Sequence, residues 1–375
     1  MKLTRPTWLE IDLEAISQNA KTLMKWTKAR EMIAVLKANA YGHGAPEVAL
    51  KLYEDNQVRR FAVATIDEGI QLRQILPSDT EILLLSVQEA SQAPLMLDYQ
   101  LTPTIDNLDW LKSAETQLFF DRTVKKFSVQ IAIDTGMARI GVQNIQQLTE
   151  LYQYIQHSKN LELTGVYTHF ATADEKKSDQ YFLKQKEQFI KMVQQAQIPS
   201  NYWHLANSPA SVWHKDELPM DIIRIGNALY GYNMSDLTDL PDGLILQPSF
   251  TWKTRIISVR KLQPGMSVSY GATFTAQQEM WLGTLPIGYA DGFRRSFQGG
   301  KVLVNGEFQE IIGRISMDQA LIALPEKVAL GTEVTIIGKE HEHQINLEDW
   351  AKKANMIGAE IILGISPRVL RIYKK

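Results

Sequence analysis

The chain has 375 residues, of which 45% are hydrophobic and 22% are charged, and its formal net charge at pH 7 is −2. A charge this small gives no strong attraction to nucleic acid or to a membrane surface, so we expect neither as a partner. The absence of cysteine excludes disulfides, thiolate metal sites and a cysteine nucleophile. The N-terminus lacks the apolar core of a signal peptide, and no apolar stretch is long enough to cross a membrane, so we expect a cytoplasmic protein.

The first 242 residues alternate between apolar runs of strand length and segments with helical periodicity. A short strand is predicted at Trp8–Ile11, followed by a helix that Asp12 caps. Eight further strands are predicted at Met32–Leu36, Phe61–Ala64, Ile82–Leu85, Leu101–Ile105, Phe127–Ile133, Leu161–Thr168, Tyr202–Leu205 and Asp221–Ile225. The helices between them are predicted at Pro46–Asn56, Asp67–Gln74, Ala90–Leu97, from Asn107 onward, at Asn144–His157, at Ser178–Gln195 and near Pro209.

This succession of strand–helix units predicts an α/β fold. Parallel strands joined by helical crossovers are expected from such alternation, and eight units favour a closed (β/α)8 barrel of the TIM type. The alternative is an open, doubly wound sheet. Neither of the nucleotide-binding patterns GxGxxG and GxxxxGK[ST] occurs to support that alternative.

The last third of the chain has a different pattern and predicts a β-rich domain. Strands are expected at Thr251–Val259, Met280–Pro286, Lys301–Val304, Gln309–Ile312, Ala320–Ala323 and Glu333–Ile337, and a short helix at Leu347–Ala354. Asn305-Gly306 is a typical two-residue hairpin turn. We therefore predict a barrel domain over residues 1–242 and a β-rich C-terminal domain over residues 243–375. The first residues, up to about residue 10, can join the second domain instead of the barrel.

Lys37 stands at the end of the first predicted barrel strand, directly after an apolar run. A lysine in an apolar pocket loses proton affinity and becomes a nucleophilic amine, able to form an imine with an aldehyde. The alternative is a lysine that simply turns outward at a strand end, where charged residues are common.

Polar residues follow other predicted barrel strands as well. Arg139 follows strand five, His169 strand six and Ser208 strand seven, while Arg224 lies near the end of strand eight. Each has a structural alternative: a surface ion pair for Arg139, a hydrogen-bonded barrel residue for His169 and a helix cap for Ser208. Because barrel enzymes place their sites at the C-terminal ends of the strands, these residues are expected to meet at one mouth.

Several motifs resemble those of the alanine racemases, a fold-type III family that depends on pyridoxal 5'-phosphate (PLP). The segment Ala34–Ala45, AVLKANAYGHGA, resembles the family's PLP signature, whose lysine carries the cofactor as a Schiff base. HLANSPA (His204–Ala210) and IRIGNALYG (Ile223–Gly231) resemble its phosphate and pyridine motifs. The resemblance continues through the second domain in VSYGATF (Val268–Phe274), LPIGYADGFRR (Leu285–Arg295) and GRISMDQ (Gly313–Gln319).

The resemblance implies a PLP site in the barrel. Lys37 would attach the cofactor and act as a catalytic base, Arg224 would contact the pyridine nitrogen, and His204 would support Arg224. Phosphate would lie in the loops after strands seven and eight, where barrels often bind it. The implied cofactor-binding residues are Lys37, Tyr41, Arg139, His169, Asn207, Ser208, Arg224, Gly226 and Asn227.

The second domain is expected to complete the site of a partner subunit, which implies a head-to-tail homodimer. By resemblance, Tyr270 is the second catalytic base, and the backbone amide of Met317 contacts the substrate carboxylate together with Arg139. The residues of the implied substrate access path are Tyr289, Arg314 and Asp318. The alternative for Tyr270 is a packed strand tyrosine with a hydrogen-bonded hydroxyl.

Three positions depart from the family pattern, of which Ser316, in place of a frequent cysteine, is expected to be neutral. Ala132 stands where the family often has a carbamylated lysine, and Pro367 stands where a phosphate-binding tyrosine is common. We expect a small anion, such as chloride, to take the place of the carbamate beside Arg139, and the alternative is that water or a nearby carboxylate does so. The run Glu340–His343 has the composition of a metal tract, but it is better explained by charged loop residues, so no metal is predicted.

These observations leave three functions to compare. The first is an alanine racemase that moves the α-proton between two faces, with Lys37 and Tyr270 as the two bases and alanine as the substrate. It would supply D-alanine for cell-wall synthesis. The second is a PLP-dependent decarboxylase, which typically uses a cysteine that this chain lacks. The third is a non-catalytic PLP carrier, which would leave the second domain unexplained. Tolerance for serine, and a biosynthetic or catabolic role, stay open.

Overall fold

The computed structural model of the chain describes residues 4–118, 126–174, 180–219, 221–235 and 238–374. Its contacts divide it into two compact units. One unit is Ala15–Pro248, and the other combines Met1–Glu14 with Ser249–Lys375. No helix in the described ranges is long and apolar enough to cross a membrane.

The first unit is a barrel of eight parallel strands, here numbered one to eight in chain order. They are Glu31–Val35, Arg60–Val63, Glu81–Leu84, Leu101–Ile105, Phe127–Ala132, Leu161–Tyr167, Trp203–His204 and Ile222–Ile225. Each strand pairs with its successor up to strand seven, and strand eight pairs with strand one. Between strands seven and eight, the backbone N–H of Arg224 donates to the carbonyl oxygen of Ala206 at 2.8 Å. The prediction of an α/β barrel is therefore confirmed.

Helices connect the strands, and their starts follow from local capping. Thr65 and Glu68 form a capping box, while Asn107 and Asn144 each accept a hydrogen bond from a backbone N–H of the first turn. The predicted start at Ser178 lies outside the described residues. The helices are Leu13–Thr27, Ala45–Asn56, Ile66–Arg73, Ala93–Asp98, Leu108–Gln117, Ile145–His157, Gln180–Gln195 and Ser208–Trp213, with short 3-10 turns at Ala90–Gln92, Ser200–Tyr202 and Asn227–Tyr230.

The core of the barrel lies directly beneath the strand ends. A cluster of buried apolar side chains joins strands one, two, three and eight, and partly buried Tyr41 and Leu85 pack against it. Burial of these side chains removes apolar surface from water, which stabilises the fold by about 25 cal/mol for each Å² buried. Tyr41 is thus held from below by the same packing that closes the barrel.

The second unit is built around a ten-stranded sheet. Thr7–Asp12 belongs to this sheet, antiparallel to Phe250–Arg255 and parallel to Leu370–Lys374. The other strands are Ser258–Leu262, Met280–Leu285, Lys301–Val304, Glu307–Ile312, Ala320–Leu324, Glu333–Glu340 and His343–Ile345. A separate two-stranded ribbon pairs Ser267–Val268 with Phe274–Thr275, 3-10 turns lie at Tyr270–Ala272, Tyr289–Asp291 and Arg295–Phe297, and helices lie at Leu347–Ala354 and Gly358–Leu363.

The prediction of one continuous strand over Thr251–Val259 is wrong. The chain forms two strands, Phe250–Arg255 and Ser258–Leu262, which pair with different neighbours. Between them, the backbone N–H of Ile256 donates to Thr332 and that of Ile257 donates to Thr284. The backbone changes its pairing partners at this point, so one continuous run in the sequence forms two strands at different positions in the sheet.

Candidate active site

A cavity of about 430 Å³ opens at the C-terminal ends of the barrel strands. Residues that follow strands one, five, six, seven and eight line it. The lining includes all nine predicted cofactor-binding residues: Lys37, Tyr41, Arg139, His169, Asn207, Ser208, Arg224, Gly226 and Asn227. The structure thus brings this predicted set together at one mouth.

The backbone after Lys37 has an unusual conformation. Ala38, Asn39 and Ala40 have φ of 53 to 55° and ψ near 50°, and Tyr41 continues with φ of 52°. Each such left-handed L-residue costs roughly 1–2 kcal/mol, and strain of this kind concentrates at functional sites. The turn is held by its own hydrogen bonds and by Glu68, whose carboxylate accepts from the N–H of Ala38 at 2.6 Å.

The amine of Lys37 is easier to deprotonate than that of an ordinary lysine. Burial lowers its pKa, and the positive charge of Arg139 lowers the pKa further, while Glu68 acts in the opposite direction. A depressed pKa raises the fraction of free amine, which is the nucleophilic form. This environment favours the interpretation of Lys37 as a nucleophile over that of a lysine turned into water.

Tyr41, Ser208 and Gly226 form a small polar cradle at one side of the cavity. A Cβ at position 226 would lie only 2.6 Å from the hydroxyl oxygen of Tyr41, so glycine is needed for this approach. The Ser208 hydroxyl accepts from the N–H of Gly226 at 2.9 Å. Burial raises the pKa of Tyr41 to about 12, so the phenol keeps its proton and can donate.

Asn207 caps the helix Ser208–Trp213, because its side-chain oxygen accepts from the N–H of Ala210 at 3.0 Å. The cap fixes the start of this helix at Ser208, and both Asn207 and Ser208 line the cavity. Ser208 therefore does not act as the N-cap that the structural alternative assigned to it.

Arg224 is buried beneath the cavity, and both of its terminal nitrogens, Nη1 and Nη2, are engaged by groups at the strand ends. Its side chain donates to the carbonyl oxygens of Thr168 at 2.6 Å and Leu205 at 3.3 Å, and to that of His204. It also donates to Nδ1 of His204 at 3.0 Å. Burial lowers the pKa of Arg224 to about 10, so the guanidinium still carries its charge at neutral pH.

His169 is a neutral imidazole at this mouth. Burial and the positive charges of Arg224, Arg139 and Lys37 lower its pKa to about 3. Its loop is held by Gln185, which donates to the carbonyl oxygen of His169 at 3.1 Å. Gln185 did not emerge from the sequence, because a glutamine on an amphipathic helix gives no local signal of such a contact.

Arg139 is exposed at the rim of the cavity and forms no hydrogen bond or ion pair with any residue in the described ranges. Asp134 does not neutralise it, since its Oδ1 accepts from the backbone N–H groups of Gly136 at 2.9 Å and Ala138 at 3.0 Å. Ala132 is buried, lines the cavity and offers only a methyl group. The surface ion pair proposed as an alternative for Arg139 is therefore not formed within the described chain.

Tyr270 lies in the second unit, on a turn between the two strands of the small ribbon. Its side chain is 67% exposed in the single chain, so it is not the packed strand tyrosine of the alternative interpretation. Ser269 precedes it with a positive φ of 64° and donates its hydroxyl hydrogen to the carbonyl oxygen of Arg314. Tyr270 and Arg314 are therefore neighbours on the surface of this unit.

Met317, Tyr289 and Asp318 lie on the same part of the second unit. The N–H of Tyr289 donates to Ser316 at 3.1 Å, and Met317 and Tyr289 are 53% and 43% exposed. Asp318 forms an ion pair at 2.7 Å with Arg368, the residue that follows Pro367. The predicted second-domain residues thus form one exposed group.

Asp291 anchors this group and was not singled out from the sequence, although it lies within a quoted motif. It is fully buried, accepts from Arg5, and lies 3.5 Å from the side chain of Arg368. It also accepts from the N–H of Gly288 at 2.9 Å. The pairing of a buried carboxylate with Arg5 depends on residues far apart in sequence, which explains why no local pattern announced it.

The run Glu340–His343 belongs to a hairpin of the second unit. His343 bonds through Nδ1 to the carbonyl oxygen of Gly306 at 2.7 Å, and its ring packs on Phe308. Within the described residues, no group of three or more His, Cys, Asp or Glu side chains is arranged for a metal ion. These contacts agree with the interpretation of the run as charged hairpin residues.

The fold and the cavity define a two-unit barrel enzyme with its site at the strand ends. Family models agree in detail: "Alanine racemase, N-terminal domain" matches residues 11–234, and "Alanine racemase, C-terminal domain" matches residues 249–373. The chain belongs to the alanine racemase family, which makes it an amino-acid racemase, an isomerase.

Individual relatives resemble the chain over its whole length. An alanine racemase of Ligilactobacillus salivarius is 40% identical over 99% of this chain and 98% of its own. The crystal structure of an alanine racemase from E. faecalis matches with a TM-score of 0.94 at 36% identity, over 100% of both chains. A histidine racemase from Leuconostoc mesenteroides subsp. sake matches with a TM-score of 0.91 at 30% identity, over 100% of this chain and 99% of its own. Relatives with this architecture thus include racemases of two different amino acids.

Proposed function

We propose that this chain is a PLP-dependent racemase that interconverts L- and D-alanine. The observation that carries the proposal is the cavity that gathers a strand-end lysine, a polar cradle and a buried arginine. The relatives named alanine racemase support alanine as the substrate: among the solved structures, the alanine racemase from E. faecalis is 36% identical to this chain, against 30% for the histidine racemase.

The residues of the cavity fit PLP. Lys37 offers an amine of lowered pKa for the aldehyde, and buried Arg224 offers an N–H for the pyridine nitrogen. The cradle of Tyr41, Ser208 and Gly226, with Asn227 beside it, offers hydroxyl and backbone donors for the phosphate. When bound, PLP withdraws electrons from the α-carbon of an amino acid and so weakens its C–H bond.

Arg224 limits how strongly that electron withdrawal operates. A guanidinium donates hydrogen bonds but keeps its proton, and a pKa of about 10 leaves Arg224 charged at neutral pH. Its N–H therefore stays on the arginine when it contacts a ring nitrogen. We infer that this favours rapid return of the α-proton over side reactions that need a protonated ring.

Racemisation requires an acid–base group on each face of the α-carbon. The amine of Lys37 serves one face in this proposal, since its lowered pKa increases the fraction of free amine that can accept a proton. The phenol of Tyr270 serves the other face. Its exposure in the single chain suits a residue that completes the active site of a second copy of the chain, in a head-to-tail homodimer with shared sites. Arg139 and the backbone amide of Met317 would then hold the substrate carboxylate.

The competing functions have less support. A PLP carrier confined to a barrel does not account for the C-terminal domain match over residues 249–373. A decarboxylase that uses a cysteine does not account for a chain without one. Cytoplasmic location, supply of D-alanine for cell-wall synthesis, an anion beside Arg139 and the consequence of Pro367 stay predictions.

The substrate is tested by incubating the purified protein with PLP and single L-amino acids, followed by chiral separation. We expect D-alanine from L-alanine, because relatives that match nearly the whole chain at 38–40% identity carry the name alanine racemase. Histidine and serine are run beside it, with release of CO₂ measured in the same samples. Faster conversion of histidine than of alanine, or release of CO₂ without a D-amino acid, would contradict the proposal.

The position of the cofactor is tested by reduction with borohydride. We expect a visible absorbance from the PLP–protein link, and a reduced adduct on Lys37 in a peptide map, because Lys37 is the partly buried lysine that lines the cavity. Lys37→Ala should lose the adduct, whereas Lys51→Ala, on the helix Ala45–Asn56, should keep it. An adduct on any other lysine of the wild-type chain would overturn the assignment.

The role of Tyr270 is tested by exchange of the α-proton with deuterium from the solvent. Tyr270→Phe removes only the hydroxyl, so we expect exchange from one alanine enantiomer to fall by at least about tenfold. Exchange from the other enantiomer should persist through Lys37. Tyr53→Phe is the matched control. Equal and normal exchange from both enantiomers in Tyr270→Phe would show that Tyr270 is not a base.

The shared site is tested by mixing two inactive variants, Lys37→Ala and Tyr270→Ala. A heterodimer of these chains carries one site with both an intact lysine and an intact tyrosine, if the two residues come from different subunits. We therefore expect activity to return after subunit exchange. Exchange is verified by mass spectrometry with one isotope-labelled chain, and continued inactivity of a verified heterodimer would place both residues in one chain.

A further inference from the structure

A chain of hydrogen bonds crosses the interior of the barrel below Arg224. Arg224 donates from Nη1 to Nδ1 of His204 at 3.0 Å, and Nε2 of His204 lies 2.9 Å from Oε1 of Gln130. Gln130 then donates from Nε2 to Oε1 of Glu81 at 2.7 Å. Strands eight, seven, five and three supply these four residues. Because strands three and seven are not neighbours of strand five, Gln130 must point into the barrel to reach both.

Such a chain is unusual, because barrel interiors are normally filled with branched apolar side chains. His204 and Gln130 have no exposed surface, and Arg224 is 3% exposed. A buried polar network stabilises a fold only when each of its members is paired. This one ends on a charge at both sides: Arg224 at the cavity and Glu81 at the start of strand three, where Arg60 donates to Oε2 of Glu81 at 2.7 Å.

The direction of each hydrogen bond in the chain is fixed. A guanidinium can only donate, so Nδ1 of His204 must accept and the ring proton must lie on Nε2. A carboxylate can only accept, so the amide nitrogen of Gln130 must face Glu81 and its oxygen must face His204. In a flipped Gln130, the amide N–H would face the N–H of His204 and the amide oxygen would face the carboxylate of Glu81, so neither hydrogen bond could form. His204 is neutral, since burial and the charges of Arg224 and Arg60 hold its pKa well below the usual value.

Gly165 leaves the space in which this contact forms. A Cβ on Gly165 of strand six would lie 2.7 Å from Nε2 of His204 and 2.8 Å from Cδ of Gln130. The glycine therefore serves the hydrogen bond between these two side chains. Tyr167, on the same strand, stacks on the ring of His204 at a centroid distance of 5.0 Å.

We propose that Gln130 and Glu81 are positioning residues of the racemase site, which hold His204 with its proton on Nε2 and so present Nδ1 as the acceptor that orients Arg224. This rests on the proposed function in one respect, namely that Arg224 faces the pyridine nitrogen of PLP. The hydrogen bond made by one ring nitrogen of a histidine sets the state of the other. Partners of this kind, one step removed from a site, commonly change activity by roughly 10-fold to 100-fold.

The first measurement needs no cofactor. The full chain, prepared without PLP, is labelled with ¹⁵N at its seven histidines, and His204→Gln assigns the signal of His204. We expect shifts of a neutral ring protonated on Nε2. In Gln130→Met the Nε2 proton loses its acceptor, so its signal should move and its exchange with water should become faster. A ring protonated on Nδ1, or a signal that Gln130→Met leaves unchanged, would overturn the proposal.

The second measurement uses the PLP-loaded protein and Gln130→Glu. In its protonated form, the introduced carboxyl group would donate to Glu81 and accept from His204, as the glutamine does. In its deprotonated form, it would face the carboxylate of Glu81 with no proton between them. The charged and titratable groups around this position are Glu81, Arg60, His204, Arg224 and Tyr167.

We therefore expect Gln130→Glu to resemble the wild type at low pH and to lose activity and visible cofactor absorbance as the pH rises through the pKa of the introduced carboxyl group. Gln130→Met should lower kcat about tenfold or more at every pH, with a smaller change in KM. A purely structural role would reduce both variants alike at every pH. That result, or a Gln130→Glu profile that follows the wild type throughout, would reject the proposal.

The chain offers a matched control on its surface. Gln146 donates from Nε2 to Oε1 of Glu150 at 2.9 Å, which is the same chemistry on an exposed helix. Gln146→Met and Gln146→Glu should leave kcat within about twofold of the wild type, because exposed pairs contribute little.

Variants that fail to fold are replaced by Gly165→Ala, which crowds the same contact without removing a polar group and should cause the same change in the His204 signal. A normal His204 signal in folded Gly165→Ala would count against the proposal. The two hypotheses fail separately: absence of a Lys37 adduct rejects the PLP site, whereas the His204 signal is measured without PLP.

Discussion

The buried charge of Arg224 is the constraint on which the site depends. A guanidinium inside a barrel is costly unless its N–H groups are paired, and here carbonyl oxygens of Thr168, His204 and Leu205 pair them. These carbonyls are available because strands six and seven end at Tyr167 and His204, so their ladder pairing stops there. The ends of two strands therefore determine where a cation can be stable, and the cavity forms above it.

After burial, that charge is the second cause that determines the protonation state of the neighbouring histidines. The pKa values of His169 and His204 are both lowered by burial and by nearby cations, so both rings stay neutral at neutral pH. A neutral imidazole accepts on one nitrogen and donates on the other, whereas a protonated ring would repel Arg224. Lys37, which precedes the left-handed turn Ala38–Tyr41, lies at the same mouth, and burial and the charge of Arg139 lower its pKa. Acid–base behaviour at this mouth is thus a property of the group and not of single residues.

Much of this arrangement could be predicted from the sequence, because it depends on local patterns. Apolar runs of strand length, separated by helical periodicity, located the eight barrel strands, and the strand ends located the cavity residues. The conformation of Ala38–Tyr41 could not be predicted, since Glu68 and the fold around it hold the strained turn. The contact between Gln130 and Glu81 joins residues 49 positions apart and exists only once the barrel closes. The strand Leu370–Lys374 likewise needs Thr7–Asp12 beside it.

The same electrostatics limits what this cavity can bind. Lys37, Arg139 and Arg224 bring positive charge to the mouth, and Arg139 has no counter-charge within the described ranges. Asp134 lines the same cavity, but its Oδ1 already accepts hydrogen bonds from two backbone N–H groups of its own loop. A cationic ligand would meet repulsion here, whereas a phosphate or carboxylate would be attracted, most strongly by Lys37 and Arg224, whose burial reduces screening by solvent. Burial lowers the pKa of Lys37 most, and the positive charge of Arg139 lowers it further, so an anion bound at this mouth would offset the second effect and raise that pKa. The affinity of the cavity for anions and the basicity of Lys37 are therefore linked through Arg139, and a change to one must appear in the other.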